Sequence, residues 1–378
     1  MGTKNFSNAN DLITFSRASG GTYLDSDGVL KLASSDIPRI EYDADGNVLG
    51  LLVEESRTNL VTYSEDFSLS PWSRVNVFIT SDAAAGPDGV SSADLLVASV
   101  VSSQHRLDLI PTSSAGTQTF SVYLKPDGYS DVWLRIGAIG SGFNLTDGST
   151  FTTNAGITAT AQEVGNGWYR CSITTTSAAA NATVRINVLG SSSVADFAGD
   201  GTSGIYIYGA QLEAGAFPTS YIPTSGSTAT RAADVASIPV SAFGYNQSEG
   251  TVVVEANIPT TSASGILVAI WDGDTSDAYY SYTEGTSNLF LRGREGGSTF
   301  STISRSPLSS GVSKHAFAYD SSSNQLVLNG GSVASGSGQI IEAANTLAIS
   351  PGFQRSHFKS IKYYPRRLTN AQIVELTS

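Results

Sequence analysis

The chain has 378 residues, which at roughly 150 residues per domain corresponds to two or three domains. Hydrophobic residues make up 40%, enough for packed cores, while only 14% are charged and the net charge is −12, which argues against a nucleic-acid surface and against adsorption to anionic membranes. The single cysteine, Cys171, excludes an internal disulfide framework, and the three histidines, His105, His315 and His357, are too few for a His-rich metal centre. The opening residues, Met1 to Phe6, contain no apolar h-region, so no signal peptide is expected. No apolar run approaches the roughly 20 residues of a membrane span. The expected product is made in a reducing cytoplasm.

Helix signals are nearly absent. Short runs with period-2 alternation, separated by Gly, Asp, Asn and Ser clusters, predict an all-β protein of sandwiches or barrels. Residues 1–58 read as hairpins. Thr22-Tyr23-Leu24 and Val29-Leu30-Lys31-Leu32 flank the Asp27-Gly28 turn; Arg39-Ile40-Glu41-Tyr42 and Val48 to Val53 flank Asp45-Gly46. So short a segment buries too little to stand alone, so it is expected to be an arm packed on a neighbour in this chain or in another subunit. Residues 59–226 carry about eight strands, the size of a jelly roll. They include Val75–Thr80, Thr119–Lys125, Asp131–Gly137, Gly167–Thr174, Ala182–Leu189 and Gly204–Leu212. A Pro/Gly/Ser/Thr-rich connector follows, with the linker placed at 227–233. Residues 234–378 are again β, with strands expected from Gly250–Ile258 through Ser356–Tyr364. Thr369 with Gln372 three residues on predicts a capping box that starts a short final helix.

Motifs that carry chemistry are few. Gly199-Asp200-Gly201-Thr202-Ser203-Gly204 matches a dinucleotide fingerprint but opens a strand rather than a helix, so a turn is expected. Glu41, Asp43 and Asp45 alternate as in an acidic ladder, yet Asp45-Gly46 is turn chemistry and removes the third carboxylate. No G-x-S-x-G or Walker loop occurs, and Cys171 is expected to face a core. No catalytic residue is assigned. The loop Asp272, Asp274, Asp277 offers oxygen ligands of the kind a structural calcium takes, against the plainer reading of a polar hairpin loop. No other cofactor is expected. Tyr206 and Tyr208 share one face of a strand whose other face is Ile205 and Ile207, an outward platform on which a sugar ring would stack. Trp271, Tyr280 and Tyr282, with Arg292 and Arg294, form a second candidate platform. Ordinary cross-strand packing competes with the ligand reading at both.

Three segments go beyond generic β sequence. The first runs from Phe15-Ser16-Arg17-Ala18-Ser19 through Pro38-Arg39 to Gly50–Leu60, then Tyr63–Phe67 and Trp72. The second is Gly165–Arg170 with Gly209–Thr224. The third is Lys314–Asp320 through Gly330, with Ser360–Tyr364 and the final helix. Together they resemble tailed-phage virion fibre or spike proteins. The resemblance implies a β-rich arm at 1–58, a carbohydrate-binding-module-like jelly roll at 59–226 and a concanavalin A-like (laminin G-like) lectin domain at 234–378. It implies a head-fibre, head-spike or tail-fibre protein at the virion surface, non-enzymatic, that binds bacterial envelope polysaccharide for host attachment. The expected partners are that polysaccharide, other virion proteins through the arm, and further copies in a homo-oligomer, with no nucleic acid and no membrane insertion. The competing expectations are a structural capsid decoration or tail protein without glycan affinity, and a polysaccharide depolymerase with paired carboxylates.

Overall fold

Alternating side chains dictate paired sheets with buried inner faces, and the chain forms two such sandwiches. The computed structural model describes residues 12–190, 194–258, 264–285, 287–342, 344–352 and 355–378. In the first sandwich a six-stranded antiparallel sheet has the order Thr150–Phe151, Ile139–Asn144, Asp131–Ile136, Val184–Leu189, His105–Leu109, Ser73–Val75. It faces a second six-stranded sheet ordered Ile157–Glu163, Tyr169–Ala178, Gly116–Asp127, Gly204–Ala214, Ser91–Ala98, Val77–Ala85. Val132, Leu134, Val184, Ile186 and Val188 meet Phe120, Val122, Cys171, Ile173, Ile205 and Ile207 in one core. Burial pushes the Cys171 thiol well above its ordinary pKa, so it packs as a small apolar side chain.

The strand expected at Val75–Thr80 is instead broken. Asn76 takes a positive φ of 52°, a conformation Asn tolerates, and its side chain donates to the Gln104 carbonyl. That kink sends Ser73–Val75 into one sheet and Val77–Ala85 into the other.

The second sandwich pairs two seven-stranded sheets. Val252, Val254, Phe317 and Leu326 pack against Leu267, Ile270, Leu291, Leu347 and Ile349. The helix Asn370–Thr377 closes one outer face, capped as expected by Thr369 and Gln372, with Ile373 and Leu368 against Val253, Ala316 and Val327.

The segment 1–58 packs within its own chain. Thr14–Ser16 pairs with Val235–Pro239 at the edge of one sheet of the second sandwich, and Val48–Val53 pairs with Ser356–Tyr364 in the other, whose edge strand is Arg39–Tyr42. Its hairpin Gly21–Leu24/Leu30–Ala33 lies instead on the first sandwich, with Leu24 and Leu30 against Tyr123, Trp168, Tyr208 and Tyr221. Ala229–Arg231, in the connector, pairs with Arg57–Asn59.

Candidate functional site

The strand Asp131–Ile136 alternates strictly. Val132, Leu134 and Ile136 enter the core, so Asp131, Trp133 and Arg135 stand on the outer face of the sheet. Its neighbour Val184–Leu189 does the same with Arg185, Asn187 and Leu189. The register sets Trp133 opposite Asn187 and Arg135 opposite Arg185. On the far side Asn187 faces Arg106 and Arg185 faces Asp108. On the near side Trp133 faces Gly142, which in turn faces Phe151.

Those glycines make room. A Cβ at Gly140 would sit 2.8 Å from Trp133 Nε1, and one at Gly142 would sit 2.2 Å from the Phe151 ring. Only glycine lets both aromatic rings lie across that strand. The result is a cleft of about 300 Å³ lined by Trp133, Phe151, Gln104, Arg135, Arg185 and Asn187, among others. That is the lower end of the size range of small-molecule sites.

The polar wall is only partly satisfied. Asp108 accepts from Arg185 through both oxygens, at 2.5 and 3.0 Å, and from Arg106 Nε at 3.0 Å. Burial raises the Asp108 pKa, but these two guanidiniums outweigh it and hold the carboxyl below its ordinary value. Arg106 also donates to Gln104 Oε1 at 2.7 Å. Asn187 is only 4% exposed, yet its Oδ1 has no hydrogen-bond partner. A buried unpartnered amide oxygen costs stability unless a ligand or water completes it. The chemistry offered is a flat apolar ring beside amide and guanidinium donors.

None of these residues was singled out from sequence as a site. The signal was present as Trp133 and Arg135 at alternate positions of one strand, echoed by Arg185 and Asn187. It could not be joined without knowing that residues 131–136 pair with 184–189.

The sequence-predicted platforms fare differently. Tyr208 is 4% exposed and does not face outward. The arm hairpin covers that face, and the Tyr208 ring packs 5.6 Å from Tyr221 and 6.0 Å from Tyr123, centroid to centroid. Its hydroxyl donates to Glu65 at 3.1 Å. Tyr206 stays half-buried at the edge of this cluster. The two tyrosines therefore do not form an open stacking surface.

Trp271, Tyr280, Tyr282 and Arg292 do converge, on the outer face of a sheet of the second sandwich, together with Ile266 and Phe290. There the rings cover one another. Tyr280 and Tyr282 are each 5% exposed, Tyr282 stacks on Phe290 at 5.1 Å, and the Arg292 guanidinium lies 4.7 Å above the Tyr282 ring. Burial, with Glu284 nearby, pushes the Tyr282 hydroxyl up to about 12 despite Arg292. Arg294 is drawn to the edge, donating to Thr275 Oγ1 at 3.3 Å.

The acids of the 272–277 loop are engaged by their own loop and its neighbour. Asp274 accepts from the Ser276 amide at 2.6 Å and Asp277 from the Gly296 amide at 2.5 Å. Asp272 accepts from the Asp274 amide at 3.5 Å. Among the described residues no group of three or more His, Cys, Asp or Glu is placed to hold a metal ion. The glycine-rich motif at 199–204 is a turn, as expected, with Asp200 accepting from the Thr202 and Ser203 amides at 2.8 and 2.7 Å.

The acidic alternation at Glu41 resolves into something else. Asp43 holds its turn through the Asn47 amide at 2.8 Å, while Glu41 turns inward to Arg355 at 2.8 Å and His357 at 2.5 Å. This is one end of a buried charged clasp. Glu54 contacts Arg39 at 3.0 Å and both Arg231 and Arg355 at 3.5 Å; Asp234 contacts Arg39 at 2.6 Å and Arg17 at 3.2 Å. Ser220, at the end of the first sandwich, donates its amide and hydroxyl to Glu54 at 2.8 and 2.6 Å. Burial opposes ionisation of both glutamates. Arg355 and His357 nevertheless bring Glu41 down to about 2, and Arg231, Arg39 and Arg355 hold Glu54 still lower. Arg17, Arg39 and Glu54 belong to the segment that carries the sequence resemblance, so that motif is here a structural joint.

Neither a family model nor a curated protein matches the sequence. Solved structures with a comparable arrangement of strands are remote. The N-terminal CBM22-1–CBM22-2 tandem of Paenibacillus barcinonensis Xyn10C is 9% identical, with 82% of this chain and 98% of that one covered and a TM-score of 0.27. Domains LG4-5 of the mouse laminin α1 chain are 12% identical over 72% of this chain and 88% of that one, TM-score 0.26. A tail fibre protein of an Escherichia coli phage is 8% identical over 82% and 40%, TM-score 0.21. At such values these likenesses carry no functional argument; the all-β double sandwich stands on its own sheets and cores.

Proposed function

We propose that this chain is a non-enzymatic glycan-binding protein of a tailed-phage particle surface, and that it engages bacterial envelope polysaccharide through the cleft of the first sandwich. The observation that carries the reading is the pairing of an aromatic wall, Trp133 and Phe151, with unsatisfied polar groups at Asn187 and Arg135. A pyranose presents the complement, an apolar ring face and a rim of hydroxyls. The sequence resemblance supplies the particle. Leu32, Ile37 and Val48 of the arm are 65%, 53% and 41% exposed, apolar surface available to other virion proteins or to further copies of the chain. A homo-oligomer would multiply weak single sites through effective concentration. The described residues lining the cleft include no carboxylate, which favours binding over cleavage.

The test is retention of host-envelope polysaccharide by the purified chain, with its size profile read after deproteinisation. The wild type is expected to retain it at unchanged chain length, and Trp133→Ala to lose tenfold or more in affinity. Shortened chains would replace this reading with the depolymerase. Absence of retention across a panel of hosts would replace it with a structural decoration protein.

A further inference from the structure

Three guanidiniums project from the outer face of this sheet, Arg106, Arg185 and Arg135, and Asp108 is the acid in register with them. Both Asp108 oxygens are taken by Arg185 and Arg106. Arg135 lies directly opposite Arg185 and makes no hydrogen bond or salt bridge with any described residue, and its Nε is shut off from solvent. Asp131, four residues along the same strand, stands about 13 Å away by strand geometry and accepts from Asn144 Nδ2 at 2.7 Å. Three guanidiniums thus share one carboxylate on this face, and Arg135 is the one that does not bond to it, in a chain whose overall charge is −12. Partial burial, followed by the neighbouring Arg185, lowers the Arg135 pKa, and Asp108, already held by two other guanidiniums, only partly offsets them.

We propose that the cleft selects saccharides bearing a carboxylate, with Arg135 receiving the carboxylate and Asn187 a flanking hydroxyl. This rests on the glycan-binding reading of the same cleft. A guanidinium presents a planar fork of donors that fits a carboxylate with two parallel hydrogen bonds, and such charge-assisted pairs exceed neutral ones in strength. Trp133 supplies the surface on which the same sugar ring lies. The acid group and the ring face are then read by adjacent residues of one strand, two positions apart. A sulfate or phosphate ester would meet the same guanidinium with a different shape, and the experiment separates them.

The experiment is a panel of oligosaccharides containing hexuronic or nonulosonic acids. Each is paired with its carboxyl-reduced neutral form and accompanied by sulfated and phosphorylated members, and the full-length chain is tested for binding. At least one acidic member is expected to bind about tenfold or more tightly than its reduced partner. Arg135→Gln should bring that member and its reduced partner to equal affinity. Arg135→Lys should restore part of the preference. An unchanged melting temperature in both variants shows that the sheet is intact. Equal affinity across every acidic and reduced pair overturns the carboxylate assignment and leaves glycan binding standing, as does a preference confined to sulfated or phosphorylated members. A ratio that survives Arg135→Gln overturns the role of Arg135. Absence of binding throughout the panel overturns this proposal, and with Trp133→Ala equal to wild type on whole envelope polysaccharide it overturns the underlying reading too.

Discussion

Two arginine-rich regions of this molecule invite comparison. At the joint of the arm and the two sandwiches, Arg17, Arg39, Arg231 and Arg355 surround Asp234, Glu54 and Glu41, largely buried, with only the Arg355–Glu41 end partly open to water. On the outer sheet of the first sandwich, Arg106 and Arg185 share Asp108, and Arg135 is left over beside a cleft. The same residue type performs opposite tasks. Where every guanidinium reaches a carboxylate, four sharing three, the cluster fixes one arrangement of chain segments distant in sequence. Where one lacks a partner and faces an opening, the cluster has capacity for a ligand. The side chains are alike; whether each is paired, and the access of solvent, decide between structure and recognition.

The largest expected effect lies in the joint. Glu54→Gln leaves Arg39, Arg231 and Arg355 around a neutral amide, and breaking such a buried pair costs about 3–5 kcal/mol. Denaturant midpoints would show it, whereas Arg135→Gln should shift stability by no more than about 0.5 kcal/mol. Similar losses for the two variants would end the distinction drawn above.

Acid sharpens it next. The folded pKa of Glu41, about 2, lies below the ordinary 4.5, so its contribution is complete above the ordinary value and is lost as pH falls through the folded one. Glu54, held lower still, follows the same sign. His315 is buried without a charged partner, its Nε2 3.0 Å from Ser281 Oγ, and burial lowers it from 6.5 to about 4. Between those values the unfolded chain takes up a proton that the folded chain refuses. His315 should therefore cost roughly 3 kcal/mol of stability from pH 7 to 4, at 1.36 kcal/mol per unit, while Asp94, which burial raises to about 6, acts with the opposite sign in the same window. His315→Gln should remove that cost, so that the difference from wild type grows between pH 7 and 4, and leave the loss at lower pH, which belongs to the joint. A His315→Gln curve parallel to the wild type from pH 7 to 4 would contradict the assignment.

A small effect on stability belongs to the cleft floor. Gly142→Ala forces the Phe151 ring off its seat on a two-residue edge strand, at an expected cost of up to about 1 kcal/mol. Polysaccharide retention should drop several-fold while the melting temperature barely moves. Retention equal to wild type would show that Phe151 is not a wall of the site.

Much of the fold was legible in the chain. The alternation of Phe120 to Leu124 and of Ile205 to Tyr208 located strands and put both isoleucines inside. The Asp27-Gly28 and Gly46 turns take the positive φ expected of them, and Thr369 caps the last helix. The site was less legible. Trp271, Tyr280, Tyr282 and Arg292 stand together on one face, with Arg294 drawn toward Thr275, but the mutual covering of the rings is not visible in the sequence. Tyr208 alternates like an outward residue and is buried by Leu24 and Leu30, which lie far away in sequence.

What the sequence determined by itself is which side of each strand is apolar, because the pleat assigns successive side chains to opposite faces and hydrophobicity selects the inner one. What only the tertiary structure decided is the fate of the outer faces and of the charges. A hairpin from the arm closes one outer face, while another keeps Trp133 and Arg135 beside an open cleft. Glu41 finds His357 across 316 residues of chain. Such pairings follow from register and from the packing of remote segments, and a local pattern of residues contains no term for either.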